Sequence, residues 1–227
     1  MNYKIISSNS MGNAVIYHDS ILVDCGVSFA KLKKDYMNLK IVLLTHRHKD
    51  HFNNDTIVKL ALHRPTLRWA CGEFLAERLS ELGVKSIDVL EAGRLYDYKE
   101  FQISPIVLYH DVPNFGYRIF KDGYKIIHAT DTNTLEGISA KGYDLYAIEH
   151  NHDIHQIEID IRDKQERGVF AYELGSRNSH LSFQQAEEFI SKNAHGNHEV
   201  IKLHMSERYK QFERIKDYAE KQTEQSL

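Results

Sequence analysis

The chain has 227 residues, of which 42% are hydrophobic and 27% charged, with 12 glycines and 3 prolines. That composition excludes collagen-like, low-complexity and disordered chains and predicts a single globular domain, residues 1–227, long enough to bury one sizeable core. The 29 Lys and Arg against 32 Asp and Glu leave a net charge of −3, and the densest basic run is Lys31 to Lys34, so a long nucleic acid has little to hold it. No apolar run approaches the roughly 18 residues of a membrane span, and Met1 to Ser10 has no signal core. With two isolated cysteines, Cys25 and Cys71, the expectation is a cytoplasmic protein with free buried thiols and no membrane partner.

In chain order, short β-rich runs come first, at Tyr3 to Ser7, Ala14 to Tyr17 and Ile21 to Asp24. An amphipathic helix around Phe29 to Met37 and a buried strand Ile41 to Thr45 follow. A helix near Thr56 to His63, a strand Leu67 to Cys71 and a helix Glu73 to Leu82 continue an alternating pattern. Strands are then expected near Ile87 and Leu95 and at Phe101 to Tyr109, Gly116 to Phe120 and Lys125 to His128. The last third reads as a strand Asp144 to Ile148, a helix Phe183 to Lys192, a strand Val200 to His204 and a charged helix from Glu207. The order predicts an α/β (α+β) layered fold with functional residues at strand ends.

Fourteen of the residues are histidine, and the sharpest cluster is Thr45-His46-Arg47-His48-Lys49-Asp50-His51, running straight out of the apolar Leu43-Leu44. In extended chain, residues i and i+2 point the same way, so His46 and His48 can serve one metal while Asp50 and His51, past a bend, reach a second. An HxHxDH pattern arises by chance in about one sequence in 300 of this composition. Imidazole and carboxylate donors suit Zn²⁺, with Mn²⁺ and Fe²⁺ also compatible. Further ligands should also end strands, because rigid elements hold a site best. His110, Asp131 and His204 each close an apolar run. The assignment is therefore His46, His48 and His110 to one metal, Asp50, His51 and His204 to the other, and Asp131 bridging two divalent ions.

On these residues the chain resembles the metallo-β-lactamase fold hydrolases, whose marker is the HxHxDH stretch, here His46 to His51. The resemblance implies an αββα sandwich of two mixed β-sheets flanked by helices, with a dinuclear centre at the sheet edges. It also implies that Ser8 to Ala14 and Ile21 to Gly26 are opening strands and that Asp24 supports the metal loop. Ser179-His180-Leu181-Ser182 and Leu203-His204-Met205-Ser206 resemble the paired C-terminal motifs of RNase Z and its relatives. Ile148-Glu149-His150-Asn151-His152-Asp153 resembles a motif of YycJ-type nucleases, with Glu149 matching the glutamate that orients a catalytic histidine. Ser182 and Gln185 also read as a capping box, placing His180 beside a helix N-terminus that favours an anion. A non-ligand histidine there suits a general acid whose pKa a carboxylate such as Glu149 holds near neutral. The expected catalytic residues are thus Asp50, His180 and Glu149. His150, His152, His155, Asn151 and Asp153 are divided between lining the pocket and a solvated loop, and His18, His63, His128, His195 and His198 between structural and surface positions.

The expected reaction is metal-dependent phosphodiester hydrolysis. The long Gly- and Pro-rich arm of tRNA-maturing RNase Z has no counterpart between Asn53 and Tyr109, so RNA cleavage is the lesser alternative. Two relatives remain: YycJ-type DNA exonucleases, and the compact phage anti-Pycsar proteins, which hydrolyse cyclic mononucleotides. Short length and acidic charge favour the small cyclic nucleotide, in a host cytoplasm if phage-encoded, and the resemblance also implies a homodimer. A redox or sensor role like that of diiron flavoproteins of this fold is disfavoured. Those proteins usually place a Glu within the HxHxDH stretch, where His48 stands here.

Overall fold

The computed structural model describes residues 2–209; the predicted charged helix from Glu207 lies mostly outside them. Six strands form the first sheet: β1 (Tyr3–Asn9), β2 (Gly12–Tyr17), β3 (Ile21–Val23), β4 (Ile41–Leu43), β5 (Arg68–Cys71) and β6 (Ile87–Val89), in that spatial order. The second has the order β12-β11-β10-β9-β8-β7, built from β7 (Tyr96–Asp97), β8 (Gln102–Leu108), β9 (Asn114–Lys121), β10 (Tyr124–Ala129), β11 (Leu145–Glu149) and β12 (Glu199–Leu203). The two halves share a plan. An antiparallel meander, β1 to β3 or β7 to β10, hands over to parallel strands, β3 to β6 or β10 to β12.

Parallel strands need crossovers, and these carry α1 (Phe29–Leu32), α2 (Asn54–His63) and α3 (Glu73–Glu81) on the first sheet. On the second they carry α4 (Ile154–Glu166), α5 (Glu173–Ser179) and α6 (Phe183–Asn193). Strand parity explains the apolar runs. Val15 and Tyr17, Ile41 and Leu43, and Leu145 and Ala147 fill the core between the sheets. Their alternates Ala14 and Ile16, and Val42 and Leu44, face the helices with Leu32, Ile57, Leu60, Leu75 and Leu79, while Tyr146 and Ile148 meet Ala186, Phe189 and Ile190 of α6. A strand covered on both faces has no polar side to display. The result is a mixed α/β sandwich of two sheets between helices, the architecture the resemblance implies.

Two local expectations change. The helix expected over Phe29 to Met37 is a single turn, because Lys33 and Asp35 bond three residues back, to Ala30 and Leu32. Helices α4 and α5 were not expected at all. Ile157, Ile159 and Ile161 alternate like a strand, yet only Ile157 and Ile161, one helical turn apart, are buried, and Ile159 is exposed. Asp153 starts α4 by accepting the backbone N–H groups of His155 and Gln156, both at 2.9 Å. Both cysteines are buried and free, and burial pushes the Cys71 thiol up to about 12. Among the described residues no helix is long and apolar enough to cross a membrane.

Candidate metal centre

The candidate residues gather where strands of both sheets end. Asp24 follows β3, His46 to His51 follow β4, His110 follows β8, Asp131 follows β10, Glu149 ends β11 and His204 follows β12. Asp24, Asp131 and His204 have φ of 59°, 55° and 48°, in the left-handed region that side chains other than glycine enter at some cost. Such strain persists where surrounding structure over-determines it. At Asp24 the clamps are visible: its N–H donates to the Leu43 carbonyl at 2.8 Å. At His204 the N–H donates to Ser8 Oγ at 2.8 Å, and the carbonyl accepts Asn151 Nδ2 at 3.0 Å.

Two donor groups result. His46 Nε2 and His110 Nε2 lie 3.1 and 3.3 Å from His48 Nδ1, three imidazole nitrogens facing one point. Asp50, His51 and His204 form the other group, with His204 Nε2 3.2 Å from Asp50 Oδ2. Asp131 lies between them, its Oδ2 2.7 Å from His51 Nε2, and it groups with His46 and His51. All seven residues named in the sequence as ligands therefore come together.

Hydrogen bonds behind these groups fix which nitrogen faces inward. His51 Nδ1–H donates to Asp24 Oδ2 at 2.6 Å. His46 Nδ1–H donates to Thr45 Oγ1 at 3.0 Å, and that hydroxyl donates to Asp24 at 2.9 Å. One buried carboxylate thus orients two imidazoles and turns both Nε2 atoms toward the other donors. His110 is set likewise, donating from Nδ1 to the Ser179 carbonyl at 3.1 Å.

The electrostatics fit a cationic guest. Burial, then the charge of His51, holds His46 well below the usual imidazole range, so it is a neutral donor. Burial alone would raise Asp131 and Asp50, but the charges of His204 and His51 on the former and hydrogen bonds from His204 and His51 on the latter keep both ionised. Against burial, Asp131 and its neighbouring carboxylates push His51 and His204 above the usual imidazole range, so these two would give up a proton on joining neutral His46 and the ionised carboxylates as donors to Zn²⁺ or a similar ion.

His180 is placed differently. It closes α5, one residue before Leu181 and the capping box of Ser182 and Gln185 that starts α6. Its Nδ1–H donates to Glu149 Oε1 at 2.6 Å, with Asp131 Oδ1 at 3.2 Å. Its ring stacks on that of His204, centroids 5.1 Å apart and planes at 15°. The other Glu149 oxygen, Oε2, accepts the N–H groups of Thr132 at 3.0 Å and Leu181 at 3.3 Å. Burial opposes a charge on His180, but Glu149 and Asp131 outweigh it and push its pKa up to about 10, well above the near-neutral value expected from sequence.

The remaining motif residues are structural. His150 and His152 are buried, their rings against Phe183 and Tyr209, because β11 leads into a covered segment instead of a solvated loop. Asn151 braces His204, Asp153 caps α4, and His155 is exposed in its first turn. Sequence reading missed Asn13, Thr45 and Gly26. Asn13 Nδ2 donates to His51 Nε2 at 2.8 Å and reaches Asp50 Oδ2 at 3.3 Å. Gly26 packs against the Asp50 carbonyl so closely that a Cβ there would sit 1.7 Å from it. The Gly-Asn pair at Gly12–Asn13 and the Asp-Cys-Gly at Asp24–Gly26 carry no chemical pattern that separates them from ordinary turns.

Comparison with known proteins places the chain's fold and family. The model of the β-lactamase superfamily domain matches residues 19–205. A UPF0173 metal-dependent hydrolase from Thermoplasma acidophilum is 27% identical over 151 residues, 62% of this chain and 66% of the relative, just under two thirds of its length. The short form of human tRNase Z superposes with a TM-score of 0.66 at 18% identity, covering 92% of this chain and 94% of that one. A diphosphatase of the PhnP family superposes with a TM-score of 0.64 at 14% identity, covering 90% and 85%. At these identities the two structures show a shared fold.

Proposed function

The chain belongs to the β-lactamase superfamily, and on that premise we propose that it is a hydrolytic enzyme that cleaves phosphodiesters with two divalent cations held at the strand-end centre. His46, His48 and His110 would hold one cation and Asp50, His51 and His204 the other, with Asp131 placed between the two groups. Zinc is the first choice, and Mn²⁺ and Fe²⁺ suit the same donors. When bound, the pair supplies an activated water and neutralises charge on the phosphoryl oxygens.

The observation that carries the reading is His180: it lies within donor reach of Asp131, Glu149 and His204, but its Nδ1 is tied to Glu149 at 2.6 Å and its ring is stacked on His204. A metal site alone needs no such pair. Because Nδ1–H is committed to Glu149, the proton His180 can hand on is the one on Nε2. It goes to the oxygen that leaves phosphorus as water adds. Glu149 is itself held by two backbone N–H groups, so the imidazole keeps one orientation through the proton transfer. The named activities of the structural neighbours, a tRNase and a diphosphatase, support phosphate chemistry.

The substrate proposed is a 3′,5′-cyclic mononucleotide, opened at the P–O3′ bond to the 5′-monophosphate. Residues 54–108 fold into α2 to β8 without an extended arm, which disfavours pre-tRNA, and the net charge of −3 disfavours long DNA. The test incubates metal-loaded protein with cyclic AMP, GMP, CMP and UMP and, in parallel, with 5′-phosphorylated DNA at two salt concentrations. The reading predicts 5′-monophosphates with a weak salt dependence. Efficient DNA shortening with a steep salt penalty, while all four cyclic nucleotides survive, would assign the chain to the YycJ-like exonuclease alternative.

A further inference from the structure

Arg47 and Lys49 alternate with His46 and His48 along the metal loop and are exposed. They open into a cavity of about 640 Å³ between the metal loop, the start of α2 and the face of α3. Its charged lining is Arg47, Lys49 and Arg78 against the single carboxylate Asp55, a concentration of positive charge in a chain that is acidic overall. Arg78 pairs with Glu81 at 2.7 Å, and both are solvent-exposed. No hydrogen bond or ion pair engages Arg47 or Lys49 among the described residues. Three cations from two separate segments therefore converge on one space with little to neutralise them.

The cavity also has a fixed aromatic wall. Phe74 stands at its edge, over a third exposed. Its ring folds over Gly72, where a Cβ would come within 2.2 Å of the ring edge, and it meets the Phe115 ring edge-on, centroids 5.2 Å apart. The absence of a side chain at Gly72 thus sets the ring, leaving it preorganised to take a planar partner. Cations to hold a phosphate beside an aromatic face to stack a base are the two elements of nucleotide recognition, and the volume falls in the range of small-molecule sites.

We propose that this cavity is a second binding site, independent of the metals, for a nucleoside 5′-monophosphate: phosphate on Arg47, Lys49 and Arg78, base against Phe74. A ligand there bears on the two residues interleaved with His46, His48 and Asp50, and so on the loop that positions them. The inference does not depend on which phosphodiester is cleaved or on hydrolysis at all.

The test is calorimetric titration of AMP into the full chain kept in EDTA, where the centre has no metal to bind phosphate. AMP is expected to bind at one site. Ribose 5-phosphate, lacking the base, is expected to bind about 5- to 100-fold more weakly, the scale of one stacked base. The variant Phe74→Ala with Arg78→Ala should weaken AMP at least tenfold, and circular dichroism checks that it remains folded. If that pair fails to fold, Phe74→Leu with Arg78→Gln replaces it with the same expectation. No AMP binding to the wild-type chain in EDTA, or binding that these changes leave within twofold, overturns the proposal, whatever the hydrolysis assays show.

Discussion

Gly26→Ala isolates how the metal loop is held, because the added methyl group changes no charge and meets the backbone of Asp50 and His51, not their side-chain donor atoms. Its Cβ would lie 1.7 Å from the Asp50 carbonyl oxygen, 2.1 Å from the carbonyl carbon and 2.6 Å from the His51 nitrogen, where ordinary contact begins at 3.4 Å. The Asp50–His51 peptide must therefore retreat by about 1.7 Å or the turn after β3 must open by as much. Either movement breaks into the bonds that tie the two loops: Asn13 N–H to Asp50 O at 2.6 Å, Cys25 N–H to His51 O at 3.0 Å and Gly26 N–H to Asn13 O at 2.9 Å. Overpacking costs about 1–3 kcal/mol and each lost hydrogen bond about 1 kcal/mol. The total is about 4–6 kcal/mol, or a melting temperature lower by on the order of 10 °C for a chain of this size. Because Asp50 and His51 ride on the displaced peptide, metal content should fall by at least half. Gly175→Ala is the control: it sits in α5 with nothing within 4 Å of a Cβ and should be neutral or stabilise by about 0.5–1 kcal/mol. Melting curves in EDTA with elemental analysis of the metal-loaded proteins give both readouts. A Gly26→Ala protein with unchanged melting temperature and full metal would refute the packing argument.

The double change His46→Ala, His48→Ala should remove most bound metal and abolish phosphodiester hydrolysis, read by elemental analysis and rate; full activity would contradict the ligand assignment. His180→Ala should keep metal content within the error of the wild type and lose about 10² to 10⁴ in rate; metal lost together with rate would make it a ligand or a structural residue. Asp24→Asn removes the shared acceptor behind His46 and His51, and zinc affinity measured by chelator competition should weaken about 10- to 100-fold. An unchanged affinity there would show that the imidazoles hold their tautomers without Asp24.

The clustering of the candidate ligand residues was legible because they obey two simple rules. His46, His48, Asp50 and His51 form a dense local pattern, and His110, Asp131 and His204 each follow an apolar strand, which places them at one edge of a layered fold. The capping box at Ser182 was legible for the same reason, since its partner lies three residues on. What lay beyond sequence reading was contact between distant segments. Asn13 reaches His51 across 38 positions, and Gly26 meets Asp50 through the absence of a side chain. Helix α4 was hidden by isoleucines spaced like a strand, and with it went the burial of His150 and His152. Charge was misjudged locally as well. Arg47 and Lys49 lie in one segment and Arg78 in another, so no linear run announces the basic cavity they form.

The most direct measurement of the central claim is a metal titration of the metal-free protein with bis(p-nitrophenyl) phosphate as reporter. A dinuclear centre with Asp131 between two donor groups predicts that activity rises steeply only as the second equivalent of zinc binds and reaches its plateau at two ions per chain. A plateau at one ion, or a protein that binds two and hydrolyses nothing, would contradict the account.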